Sequence, residues 1–184
     1  MRTEGAALSR IGSESGGPFR MQFAEVEIHA RPNFARCAHI TASSRVALPE
    51  WSMDKLLDRI HESESTSFGS SSIGDTGKNH SEFLSFDLGV FRPVREIVLF
   101  PRHAPGVVSE VLPLDVVVSL SDDHSAWRTV TLARSLYAQR GDPKVLSFPG
   151  ETARSVKVEG ARLRPFEAET ARPYRMQFAE IEIH

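Results

Sequence analysis

The sequence holds one cysteine, Cys37, in 184 residues. An intrachain disulfide is therefore excluded, and the fold must hold by packing and hydrogen bonding alone. A lone cysteine leaves the compartment open. No charge of one sign dominates either: 22 basic residues stand against 24 acidic ones, for a net charge of −2. That balance lacks the basic footprint a nucleic-acid binder needs to release counterions. No polybasic run points to an anionic membrane surface, so a membrane partner is not expected. Long apolar runs are missing, and stretches such as Ile97 to Phe100 are far too short to span a bilayer. The opening residues, Met1 to Leu8, contain no apolar signal-peptide core. If the domain works outside the cell, export is expected to be directed by sequence beyond this chain.

Enzyme signatures are absent as well. There is no Gly-x-Ser-x-Gly elbow, glycine-rich phosphate loop or metalloprotease helix. The seven histidines show neither His-x-His nor His-Glu-x-x-His spacing. Glu180 and Glu182 would share one face of a strand. They would stand too close for an inverting glycosidase pair, which needs carboxyls ~6.5–9.5 Å apart. Retaining spacing is open to them, but nothing else builds a sugar cleft there. The reading is a non-catalytic domain.

What is present is an apolar share of 40%, enough for a buried core, and a long internal repeat. Pro18 to His29 returns as Pro173 to His184, with ten of twelve positions identical and an offset of 155 residues. That offset is about one domain length. Residues 1–29 are therefore read as the last strands of a preceding copy, and residues 30–184 as one complete copy. The alternative is that 1–29 adds an extra edge strand to this domain. Within the complete copy, strand signals dominate. They cover Glu82–Gly89, Glu96–Phe100, Leu114–Leu120, Trp127–Leu132, Val145–Phe148, Ser155–Val158 and Met176–Ile183. Only Met53 to Ile60 could form a helix. Short strands separated by turn residues describe an all-β sandwich.

Several of these segments form an ordered series. Phe83-Leu84-Ser85-Phe86-Asp87-Leu88-Gly89 is followed by Val98-Leu99-Phe100-Pro101-Arg102 and by Ser121-Asp122-Asp123-His124-Ser125-Ala126-Trp127. Ala153-Arg154-Ser155-Val156-Lys157-Val158-Glu159-Gly160 and Ala179-Glu180-Ile181-Glu182 complete it. In this order the segments resemble the discoidin, or coagulation-factor 5/8 C-type, domains, which include family 32 carbohydrate-binding modules. The resemblance covers about residues 33–184. It implies an eight-stranded jelly-roll β-sandwich of the galactose-binding type, with no active site.

The resemblance also implies a structural calcium ion between an Asp/Thr loop and the last strand. The matching positions are Asp58, Thr66 and Glu180, with a carbonyl from Ala179. Calcium takes six to eight oxygen ligands, so this donor set suits it. The loop lacks the family's glycine, and Glu62, Ser63 and Glu64 are alternative donors; a solvated acidic loop without metal is the other reading. For sugar, Arg102 falls where sugar-binding relatives place an arginine. His103 stands where an asparagine usually follows, and His61 and His80 lie near the loop aromatic. The aromatic candidates are Phe68, Tyr137 and Phe166, since a sugar site needs an aromatic face beside a few polar groups. Arg102 could equally be a loop arginine paired to a carboxylate, and Phe68 and Phe166 could be core. Trp127 is expected in the core beneath a hairpin turn, and Trp51 as a cap on the sandwich.

The function implied is a carbohydrate-binding module of a larger exported protein such as a glycoside hydrolase. Its partners would be a glycan or polysaccharide and the neighbouring domains, at an extracellular or cell-surface location. By tethering it would raise the local concentration of substrate. The alternative is a structural or protein-interaction module with no sugar ligand. Phospholipid binding is a third, weaker reading, because the loops are mostly polar and small.

Overall fold

The structure, a computed structural model, describes residues 31–46, 48, 51–61, 68–70, 78–102, 112–137, 142–166, 170 and 172–184, with the backbone alone for 68–70. The repeat segment 1–29 lies outside them. The elements are β1 (His39–Ala42), β2 (Phe68–Ser70), β3 (Glu82–Pro101), β4 (Asp115–Ser121), β5 (Arg128–Ala133), β6 (Lys144–Arg162), β7 (Arg164–Pro165) and β8 (Tyr174–Ile183). The potential helix at 53–60 is a short 3-10 turn, Met53–Leu56, that buries Leu56. No helix among the described residues is long and apolar enough to cross a membrane.

Two long antiparallel strands organise the sandwich. The first half of β3, Glu82–Asp87, pairs with the second half of β6, Ser155–Gly160. The second half of β3, Glu96–Leu99, pairs with the first half of β6, Lys144–Ser147. The register breaks between Asp87 and Arg92 and again between Val94 and Glu96. Each break bends the ribbon, as bulges do. The β3–β6 ribbon thus contributes one half to each of two layers. One layer runs β1-β3-β6-β4-β5. The other runs β2-β8-β3-β6, with β7 beside β8.

The two strands expected on either side of Gly89 are therefore one, as are the two expected on either side of Gly150. Gly89 takes φ +76°, a left-handed backbone open to glycine at little cost. It lets the chain turn within β3, where the pairing with β6 is interrupted between Asp87 and Arg92.

Burial follows the period of two. Leu84, Phe86 and Leu88 of β3, Val116, Val118 and Leu120 of β4, and Val156 and Val158 of β6 face inward and are buried. On β8 the alternation slips once. Met176 and Phe178 face the core, and then Ile181 and Ile183 do. The β3–β8 ladder skips Ala179, pairing Phe100 with Glu180 and Pro101 with Phe178. A bulge shifts the parity and leaves its extra residue outside the ladder. It is this slip that puts Glu180 and Glu182, rather than Ile181 and Ile183, on the side away from the core.

Candidate functional site

Two places on the sandwich gather chemistry. The first is a cleft of about 440 Å³ on the outer face of the five-stranded layer, lined by His39, Thr41, Phe83, Ser85, Asp87, His124, Trp127 and Lys157. Register explains its floor. Thr41 lies opposite Ser85, Ser85 opposite Lys157, and Lys157 opposite Ser119. One step along, His39 lies opposite Asp87, Asp87 opposite Ser155, and Ser155 opposite Ser121. Directly paired residues project on the same face, so two polar rows cross the sheet while Leu84, Phe86, Val156 and Val158 fill the core behind them.

The wall of the cleft is the β4–β5 turn. The Asp123 Oδ1 accepts the N–H groups of Ser125 and Ala126, both at 2.9 Å, and the Ser121 hydroxyl at 3.0 Å. These donors hold the Asp123 carboxyl far below the usual carboxylate range. His124 takes a left-handed φ of 64° within this turn. The Asx-type hydrogen bonds fix a turn that sets His124 and Trp127 over the sheet. Trp127 is half-buried and lines the cleft, which corrects the expectation that it sits in the core. Trp127 stands just before β5, where the β4–β5 turn ends, and its ring receives Lys157 from the outer polar row.

The electrostatics of the cleft are uneven. Among the described residues, Asp87 is the only carboxylate lining it. Arg154 donates to Asp87 Oδ1 and Oδ2 at 3.1 and 3.2 Å, Gly89 N–H donates at 2.9 Å, and His124 Nε2 lies 3.3 Å away. The arginine first, then the Gly89 N–H, lower the Asp87 pKa. Lys157 is held differently. Its ammonium lies 4.9 Å from the centroid of Trp127 and 6.0 Å from that of Phe83. Among the described residues it has no carboxylate partner.

His124 also shares a hydrogen bond with Ser155 Oγ, 2.6 Å from its Nδ1, while its Nε2 lies 3.3 Å from Asp87 Oδ2, so Ser155, His124 and Asp87 stand in one file. These are the residue types of an acyl-transfer triad. Here the serine is 0% exposed in mid-strand and cannot meet a substrate. The file positions the imidazole and the carboxylate instead.

The second place lies on β8. His61, Glu180 and Glu182 bring one ligand atom each within 4.8 Å of one another. The His61 ring stacks on Phe100 at 4.0 Å, and its Nε2 is 3.5 Å from Glu182 Oε1. Glu180 is 1% exposed and accepts the Arg59 N–H at 2.8 Å. Burial above all, then the charges of Asp58 and Glu182, push its pKa up to about 7 against the pull of that N–H. Asp58 also receives the Ile60 N–H at 2.9 Å and has Lys55 at 3.9 Å. His61, Glu180 and Glu182 are the group whose ligand atoms come together, with Asp58 near enough for its charge to act on Glu180; Ala179 is the residue the β3–β8 ladder skips. Thr66 and the alternative donors at 62–64 lie outside the described residues.

Of the remaining expected sugar residues, Arg102 and Phe166 meet elsewhere. Arg102 is 7% exposed. Its guanidinium lies over Trp51 at 4.0 Å and Phe166 at 5.5 Å, and its Nη1 donates to Gln177 at 3.0 Å. Trp51 and Phe166 thus serve this buried arginine, and Phe166 also receives Arg175 at 5.7 Å. Tyr137 is 56% exposed. His103 lies outside the described residues, and Phe68 is described only by its backbone in β2. His61, expected near sugar, stands with the carboxylates. Sequence reasoning missed Phe83, Ser85, Asp87 and Lys157 as one site, although their period-two spacing on two strands marks one face.

No protein-family model matches the sequence. No curated protein matches it either. Solved structures do. Chitosan-binding module 1, derived from a chitosanase/glucanase of Paenibacillus sp. IK-5, is 21% identical at a TM-score of 0.60, over 84% of this chain and 99% of that one. The family 32 carbohydrate-binding module of Clostridium perfringens NanJ, in complex with galactose, is 14% identical at a TM-score of 0.59, over 82% and 96%. A module of the same type, CBM32-3 from a family 31 glycoside hydrolase of C. perfringens, is 14% identical at 0.61, over 83% and 93%. The fold is that of these discoidin-like β-sandwiches, as the resemblance in the sequence implied.

Proposed function

We propose that the chain is a non-catalytic glycan-binding module, that its binding face is the cleft on the five-stranded layer, and that it tethers a larger exported protein such as a glycoside hydrolase to polysaccharide outside the cell. One observation carries the reading. Trp127 and the 37% exposed Phe83 stand at an open cleft whose other lining groups are hydroxyl, imidazole, carboxylate and ammonium. An aromatic face packs the C–H side of a pyranose while fixed polar groups read its hydroxyls. Structures of the same fold named for binding chitosan or solved with galactose support the sugar-binding part of this reading.

Calcium belongs to the same proposal as a structural ion on β8. Glu180, Glu182 and Asp58 would hold it, and its charge would neutralise three crowded carboxylates. It would fasten the 58–61 segment to the last strand without touching the sugar.

The test is a panel of soluble oligosaccharides and polysaccharides titrated against the full chain and its Trp127→Ala variant. The expected result is a binder among the panel whose affinity falls about tenfold or more in the variant, equivalent to ~1.4 kcal/mol or more. Folding should be unchanged by circular dichroism. A folded chain that binds nothing across the panel would move the assignment to a structural module between domains.

A further inference from the structure

We infer that the cleft selects glycans that carry a carboxylate, uronic-acid units above all, and that Lys157 is the residue that reads the charge. The inference rests on the glycan-binding reading of the cleft and deepens it.

Charge is left over in the cleft. Asp87, the one lining carboxylate among the described residues, has both oxygens occupied by Arg154, with Gly89 N–H and His124 beside them. It is neutralised within the fold and has little acceptor capacity left for a ligand. Lys157 is in the opposite condition. It sits at the centre of a polar row, between Ser85 and Ser119, with neutral hydroxyls on either side. The rings of Trp127 and Phe83 orient its ammonium but carry no net charge to cancel it. Glu159 follows two residues along the same face of β6, opposite Phe83, and makes no ion pair with it. Among the described residues, the other ionisable groups lining the cleft are the imidazoles of His39 and His124, which carry no negative charge.

A ligand entering here therefore meets an aromatic surface, a set of hydroxyls and one unneutralised cation. A neutral sugar uses the first two. A uronate uses all three, with its carboxylate on Lys157 and its ring against Trp127 and Phe83. Charge-assisted hydrogen bonds are roughly twice as strong as neutral ones, so the carboxylate should decide among otherwise similar sugars. A polymer of protonated amino sugars such as chitosan meets the wrong sign.

The test is calorimetric titration of the full chain with oligogalacturonate, with its methyl-esterified neutral counterpart, with a sulfated galactan oligosaccharide and with chitosan oligosaccharide, at low and moderate salt. The expected order places oligogalacturonate about tenfold or more above the neutral ester, weakened by salt, with chitosan weakest. Lys157→Met keeps the aliphatic contact with the rings and should level the uronate and the ester. Lys157→Arg should keep the preference. Equal affinity for uronate and ester, preference for chitosan or the sulfated glycan, or a preference that survives Lys157→Met would overturn the inference while leaving a glycan-binding cleft standing. No binding of any oligosaccharide by the folded chain would overturn both.

Discussion

Two carboxylates on this sandwich, Asp87 in the cleft and Glu180 on β8, have opposite fates. Asp87 is partly open to solvent yet surrounded by donors, and its pKa is lowered by Arg154 and the Gly89 N–H. Glu180 is almost fully buried among like charges, and its pKa rises to about 7. The cleft thus has its negative charge cancelled and a cation, Lys157, left over. The β8 cluster sets Glu180 and Glu182 against the His61 imidazole, with Asp58 close by and Lys55 3.9 Å from Asp58. The difference between the two places lies in which neighbours strand register and bulges bring within reach.

The largest effect should come from the calcium ion proposed at the β8 cluster. Calcium binding only the folded state stabilises by mass action, ~2.7 kcal/mol at a hundredfold excess over Kd. Thermal melts of the full chain should rise with calcium and fall back with chelator, and Glu180→Gln should remove most of that shift while glycan affinity is unchanged. A calcium shift that survives Glu180→Gln would place the ion elsewhere.

Next in size is the scaffold of the cleft. Gly160, at the end of the β6 segment that carries Lys157, has no room for a side chain: a Cβ there would meet Leu163 at 2.8 Å, Pro113 at 2.9 Å and Met176 at 3.0 Å. Gly160→Ala should cost ~1–3 kcal/mol by overpacking, read as a lower denaturant midpoint. An unchanged midpoint would show that these neighbours yield freely.

A smaller effect separates the two carboxylates by pH. Glu180 has a folded pKa near 7, above its ordinary 4.5. In chelator its contribution is full below pH 4.5 and is lost as pH rises towards and through 7. Asp87 has a lowered pKa, so its contribution is present above pH 3.8 and is lost only as pH falls through the folded value. Stability profiles in chelator should flatten between pH 4.5 and 7.5 in Glu180→Gln and keep their acid limb. The same slope in both proteins would mean that Glu180 is not the group that titrates.

Much of this architecture was legible in the sequence, and the reasons for the exceptions are physical. Period-two alternation marked Leu84, Phe86 and Leu88 as inward and Phe83, Ser85 and Asp87 as outward. It could not show that Ser85 pairs with Lys157, because register is a property of two strands. The switch from Met176 and Phe178 to Ile181 and Ile183 carried the signature of a bulge in plain view. Gly89 read as a strand end, since local propensity does not distinguish a turn from a bend inside one strand. Family resemblance placed Arg102 at a sugar by position alone. Its burial depends on Trp51 and Phe166, which are distant in sequence and meet only in the fold. His61 was drawn towards sugar by its neighbours in the chain and stands instead on Phe100 beside Glu182.

The central claim is that sugar binds on the outer face of the five-stranded layer. The most direct measurement is an NMR titration of the isotope-labelled full chain with the tightest glycan of the panel. The account expects the largest shifts at the Trp127 indole N–H and the backbone amides of Ser85, His124 and Lys157, with Tyr137 and Phe166 nearly still. Shifts concentrated at Tyr137, Phe166 and the Arg102 strand end, with the cleft unmoved, would contradict it.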